Sequence, residues 1–98
     1  MASAQDLKEV KKIVLAALTK YPTRIFLFGS HATGRAGLAS DIDVAIQPEA
    51  DLPAGLMSQI REELEQSNVP YKVDLVDIST TDEAFRQRVL QEGLEWNV

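Results

Sequence analysis

Phe28-Gly29-Ser30, then ten residues, then Asp41-Ile42-Asp43 is the stretch that decides how this chain is read. Upstream of it, Arg24-Ile25-Phe26-Leu27-Phe28 is a short apolar run of the kind found in a strand buried on both faces. Gly29-Ser30 breaks that run, and residues 30–35 suit a short helical turn. A strand that runs through Gly-Ser into a helix start presents unused backbone N–H groups. Those groups, with the Ser30 hydroxyl, can hold a phosphate, and glycine lets a bulky oxyanion approach the backbone.

Downstream, Asp41 to Ile46 alternates. Ile42, Val44 and Ile46 share one face, and Asp41, Asp43 and Ala45 share the other. Two carboxylates two residues apart on a strand leave the same face, with backbones roughly 6–7 Å apart. Burying either without a partner is costly, and a hard divalent cation relieves both. Mg²⁺ suits carboxylate oxygens and keeps positions for water and substrate phosphate; two such ions can activate an attacking oxygen and stabilise a leaving one. Tyr71 to Asp77 alternates again and places Asp74 on the face opposite Val73 and Leu75. If this strand neighbours Asp41–Ile46, Asp74 becomes the third carboxylate of the set. Asp77 has the wrong parity.

Around these strands the apolar period becomes helical. Leu7, Val10, Ile13, Val14, Ala17 and Leu18 mark a helix over residues 5–20, opened by a Ser3/Asp6 capping box. Leu56, Ile60 and Leu64 mark another, with Asp51 as its expected N-cap and Pro53 in its first turn. A last helix over residues 81–92 is expected to start with a Thr80/Glu83 capping box and to end at Gly93. The order is α-β-(α)-β-α-β-α. The expected architecture is α/β (α+β): a small mixed sheet of three strands or slightly more, with helices packed on it, in a single domain spanning residues 1–98.

Composition narrows the function. The 98 residues include no Cys and one His, so thiolate chemistry is absent and a zinc site would rest on His31 and carboxylates. No run is long enough to span a membrane and no leader segment is evident, which leads to the expectation of a cytoplasmic protein. The net charge of −5 disfavours a long nucleic acid. That charge is uneven: residues 1–35 hold six Lys or Arg against two Asp or Glu, whereas residues 36–98 hold four against thirteen. Three of those acids are Asp41, Asp43 and Asp74, so a single Mg²⁺-bound nucleotide stays compatible with the acidity.

Gly29-Ser30-His31-Ala32-Thr33-Gly34-Arg35-Ala36 followed by Ser40-Asp41-Ile42-Asp43 resembles the signature of the polymerase-β-like nucleotidyltransferase superfamily. Within it, the chain is similar to the minimal nucleotidyltransferases, often encoded beside an all-helical HEPN partner as an antitoxin–toxin pair. The resemblance implies that Asp41 and Asp43 bind metal and that Asp74 is the third ligand, placed to help deprotonate the attacking hydroxyl. It implies that Gly29 and Ser30 hold the triphosphate of ATP, and that AMP passes to a hydroxyl, a tyrosine of a HEPN-type toxin in the paired group. His31 departs from the Arg that follows Gly-Ser in many relatives; an imidazole brings less positive charge to phosphate, and Arg35 is the expected compensation. Two other readings stay open: an antitoxin that neutralises by binding alone, and a nucleotidyltransferase acting on a small molecule such as an antibiotic. Self-association is also open.

Overall fold

The computed structural model describes residues 3–33 and 41–96, apart from the side chains of residues 30 and 33. The elements are α1 (Ala4–Ala17), β1 (Thr23–Phe28), α2 (Ser30–Thr33), β2 (Ile42–Pro48), α3 (Leu56–Glu65), β3 (Val73–Asp77), α4 (Glu83–Glu92) and β4 (Leu94–Trp96). The strands form one mixed sheet in the order β3-β2-β1-β4. β1 is antiparallel to both β2 and β4, and β2 is parallel to β3. The β2–α3–β3 crossover makes that parallel pair.

One sheet face is a closed apolar core. Ile25 and Leu27 of β1, Ile42, Val44 and Ile46 of β2 and Leu75 of β3 pack with Val10 and Val14 of α1 and Ile60 and Leu64 of α3. Val10, Val14, Ile42, Val44, Ile46 and Ile60 are fully buried. Burying each such side chain is worth about 1.5–3 kcal/mol. The other face carries a smaller cluster, Phe26, Ala45, Ile78 and Val89, roofed by α4. Phe28 of β1 meets Phe85 of α4 edge to face, with centroids 5.7 Å apart. α4 covers only part of this face, and the exposed part carries the aspartates.

The sequence anticipates α1 well: Ser3 and Asp6 form the reciprocal capping box. The helix closes at Ala17, earlier than expected, because Thr19 turns its hydroxyl back onto the Leu15 and Ala16 carbonyls. Two other caps differ. α3 begins at Leu56 with Gly55 as N-cap, at φ +85°, so Asp51 does not cap it. Pro53 instead accepts from Leu56 N–H in the preceding turn. α4 is capped by Asp82, whose Oδ1 accepts from Phe85 N–H at 2.8 Å. The expected Thr80/Glu83 box does not form, because Thr80 donates through both its N–H and its hydroxyl to the Asp77 carbonyl.

The fourth strand is an addition to the three expected. Gly93 makes it possible: a Cβ there would lie 2.6 Å from the Val89 carbonyl oxygen and 3.3 Å from Phe26 Cβ. The chain therefore passes from α4 into β4 against β1 with no room for a side chain. Trp96 packs at the margin of the main core, and no helix among the described residues is long and apolar enough to cross a membrane.

Candidate active site

The ladder between β2 and β3 decides the geometry of the acids. Asp43 and Asp74 are Cα partners in that ladder. Directly opposed residues on paired strands project to the same face, so the two carboxylates are neighbours rather than merely similar in pattern. Asp41 lies just before β2, half-buried, with the parity of Asp43. Phe28 is the cross-strand partner of Asp43 on the other side, so the acids sit where β1 runs into Gly29.

Gly29 takes φ +72°, and a Cβ built on it would lie 2.5 Å from Asp43 Oδ2. The turn thus brings backbone against the Asp43 carboxylate, an approach that only glycine permits without displacement. The turn and the acid pair, ten residues apart in sequence, form one locus. The Ser30 hydroxyl and Arg35 lie outside what the structure describes.

His31, which brings less charge to phosphate than an Arg would, is largely enclosed. It sits on α2 with only 8% of its surface accessible. Its field reaches Asp43 and favours the carboxylate form. Three effects oppose that and dominate: burial first, then the charge of Asp74, then that of Asp41, together pushing the Asp43 carboxyl above its ordinary value. Among the described residues Asp74 pairs with Lys72, whose Nζ lies 3.7 Å from Oδ1 on a side chain that is 71% exposed. Such a contact compensates little. Asp77 faces away from the cluster in function as in parity, with Oδ1 accepting from Ser79 N–H and hydroxyl in a turn.

Carboxylate oxygens are the donors a hard divalent cation accepts, and one carboxyl on this face, Asp43, is held above its usual pKa by burial first and then by the charges of Asp74 and Asp41. Among the described residues no group of three or more His, Asp or Glu is placed to hold a metal ion, so the three aspartates do not by themselves make a formed metal site.

One cavity borders the acids and another borders the glycine turn. A cleft of about 830 Å³ includes Asp43, Asp74, Arg61, Tyr71 and Lys72 in its walls. A smaller hollow of about 220 Å³ lies beside Gly29, between Phe28, Phe85 and Arg88. Sequence reading passed over Arg88. Its position on the α4 side facing the glycine turn follows from the sheet order, which no local pattern reveals.

Known proteins share the fold. The family described as Polymerase beta, Nucleotidyltransferase matches residues 8–95. A protein of Haemophilus influenzae named as a probable protein adenylyltransferase MntA is 34% identical over 84 residues, covering 86% of this chain and 72% of its own length. The solved structure of a mutant toxin–antitoxin complex MntA–HpeT contains a chain 27% identical to this one, with a TM-score of 0.72 over 94% of this chain and 72% of that one. Another mutant of that complex, with a double aspartate-to-glutamate substitution, gives 25% identity and a TM-score of 0.74 over 93% of this chain and 73% of that one. The aspartate-bearing mixed sheet, the glycine turn and these likenesses lead to one assignment: the chain belongs to the polymerase-β-type nucleotidyltransferase family.

Proposed function

We propose that the protein is a Mg²⁺-dependent adenylyltransferase that moves AMP from ATP to a hydroxyl of a partner protein, a tyrosine of a HEPN-type helical toxin, and so acts as an antitoxin. The observation that carries this reading is the opposition of Asp43 and Asp74 across the β2–β3 ladder with Gly29 packed on the Asp43 carboxylate. Support for a protein acceptor comes from the adenylyltransferase name of the Haemophilus influenzae relative and from the toxin–antitoxin complexes that share the fold. Residues 1–98 act in this reading as one catalytic domain, working in the cytoplasm where ATP and the partner meet.

Each residue has a role that its place makes physically reasonable. The backbone at Gly29-Ser30 binds the phosphates, and the exposed guanidinium of Arg88 beside that turn offers them positive charge. Arg35 is the second basic candidate. Asp41, Asp43 and Asp74 would hold the metal, which supplies charge neutralisation at the phosphates and lowers the pKa of oxygens bound to it. Asp74, on the edge strand, takes the proton of the incoming hydroxyl. The hydroxyl oxygen bonds to the α-phosphorus as the bond to pyrophosphate breaks. Positioning and charge neutralisation supply most of the catalysis in such transfers, which suits a domain this small.

The test is incubation of the chain with ATP labelled at the α-phosphate, Mg²⁺ and the helical partner. Label on a partner tyrosine, absent with Asp43→Ala, supports the reading. An unlabelled partner that is nevertheless neutralised, with Asp41→Ala and Asp43→Ala neutralising equally well, supports an antitoxin that works by binding alone.

A further inference from the structure

β3 lies at an edge of the sheet, and its outward backbone groups fall beside the acids. Lys72 C=O accepts from Ile42 N–H, and Ile78 N–H donates to Ile46 C=O. In a parallel ladder a given residue directs both of its groups to the same side, so residues 72, 74, 76 and 78 face β2. Val73, Leu75 and Asp77 then face outward. Two of their carbonyls are occupied: Leu75 C=O accepts from Arg61 Nη2 at 2.9 Å, and Asp77 C=O accepts from Thr80. Val73 N–H, Val73 C=O and Leu75 N–H have no protein partner among the described residues, although Leu75 is only 3% exposed. Outward donors at such a shielded edge are a template for another strand.

Val73 and Leu75 bracket Asp74, and all three residues line the 830 Å³ cleft that Asp43 also borders. We propose that this cleft is the acceptor groove: an extended segment of the protein substrate pairs with Val73 and Leu75 and delivers its hydroxyl on the face that bears Asp74. The proposal deepens the transferase reading and rests on it for the identity of the occupant. A residue paired opposite Asp74 has its Cβ about 4.5–5.5 Å from that of Asp74 and leaves the sheet on the same side. Its two neighbours turn to the other side, where Leu64, Val69 and Tyr71 line the cleft. The groove therefore favours an apolar–hydroxyl–apolar sequence in the acceptor. Arg61 marks the far end of the pairing, because its guanidinium already occupies Leu75 C=O.

The experiment is residue-resolved amide hydrogen exchange of the full chain, free and in complex with the helical partner. Exchange at Val73 and Leu75 is expected to slow by about tenfold or more on binding. Glu95, whose amide faces away from β1 on the opposite edge, serves as the control and is expected not to change. Unchanged exchange at Val73 and Leu75, or slowing caused by an ATP analogue alone, overturns the proposal. Val73→Pro gives a second readout. Val73 opens an edge strand with its N–H turned from β2, a position that tolerates proline. Losing that one hydrogen bond is expected to cut label transfer to the partner about tenfold while binding of the ATP analogue is retained. Transfer at the wild-type rate overturns the groove. If wild-type chain labels no partner, the transferase reading fails, and the exchange data still decide where the partner lies.

Discussion

One face of the sheet holds carboxylates in two opposite settings. Beside β4, Glu95 has a dedicated cation: Arg24 donates from Nε and Nη2 to its two oxygens at 3.0 and 2.9 Å. The same guanidinium lies 5.0 Å from the centroid of Phe26. Its hydrogen bonds lower the Glu95 pKa. Beside β3, Asp43 has burial and two other carboxylates for company, and its pKa rises. The fold can therefore neutralise an acid on this face when only structure is at stake. At the end next to the glycine turn it leaves negative charge in excess, of the kind that a functional site carries and a cation offsets.

The largest effect should come from breaking the under-compensated end. Asp43→Ala is expected to reduce label transfer to the partner by at least about a hundredfold, since even outer partners of metal ligands are worth 10–100-fold. Far-UV circular dichroism of the variant should match wild type. Gly29→Ala comes next. It combines a left-handed φ with a Cβ placed 2.5 Å from Asp43 Oδ2. Strain of this kind costs about 1–3 kcal/mol, so denaturant unfolding should shift by that amount and transfer should fall with it.

Asp43→Asn sharpens the contrast in the opposite direction. The folded pKa of Asp43 lies above the ordinary value of 3.8. A raised carboxyl contributes stability at pH below that ordinary value and loses it as pH rises through the folded pKa. Without metal, the variant should therefore melt above wild type at neutral pH, and the gap should close as pH falls below about 4. Adding Mg²⁺ with an ATP analogue should reverse the order, because wild type alone gains the binding free energy. The smallest effect belongs to the compensated end. Glu95→Gln removes an exposed pair and should leave the melting temperature unchanged within error.

The sheet's alternation was legible because its consequences are local: the parity of Asp41, Asp43 and Asp74 follows from a two-residue period. The apolar stripes of α1 and α3 were legible for the same reason at 3.6 residues. That β3 lies beside β2, which makes Asp43 and Asp74 neighbours, was a condition that only the three-dimensional ladder could meet. β4 escaped because a three-residue strand with exposed Leu94 and Glu95 has no readable period. Its cause is a long-range packing demand at Gly93. His31 escaped because α2, four residues long, is too short to show which side faces inward. The α4 cap differs through competition, because a nearby turn takes the Thr80 groups that the box would have used, whereas α3 starts later than its pattern suggests, after Gly55.

The account rests on the claim that Asp41, Asp43 and Asp74 form a cation-dependent nucleotide site. Calorimetric titration of an uncleavable ATP analogue into wild type and Asp43→Asn, each with and without Mg²⁺, tests it most directly. The account predicts tight binding only for wild type with Mg²⁺. Binding of equal strength in all four titrations would contradict it.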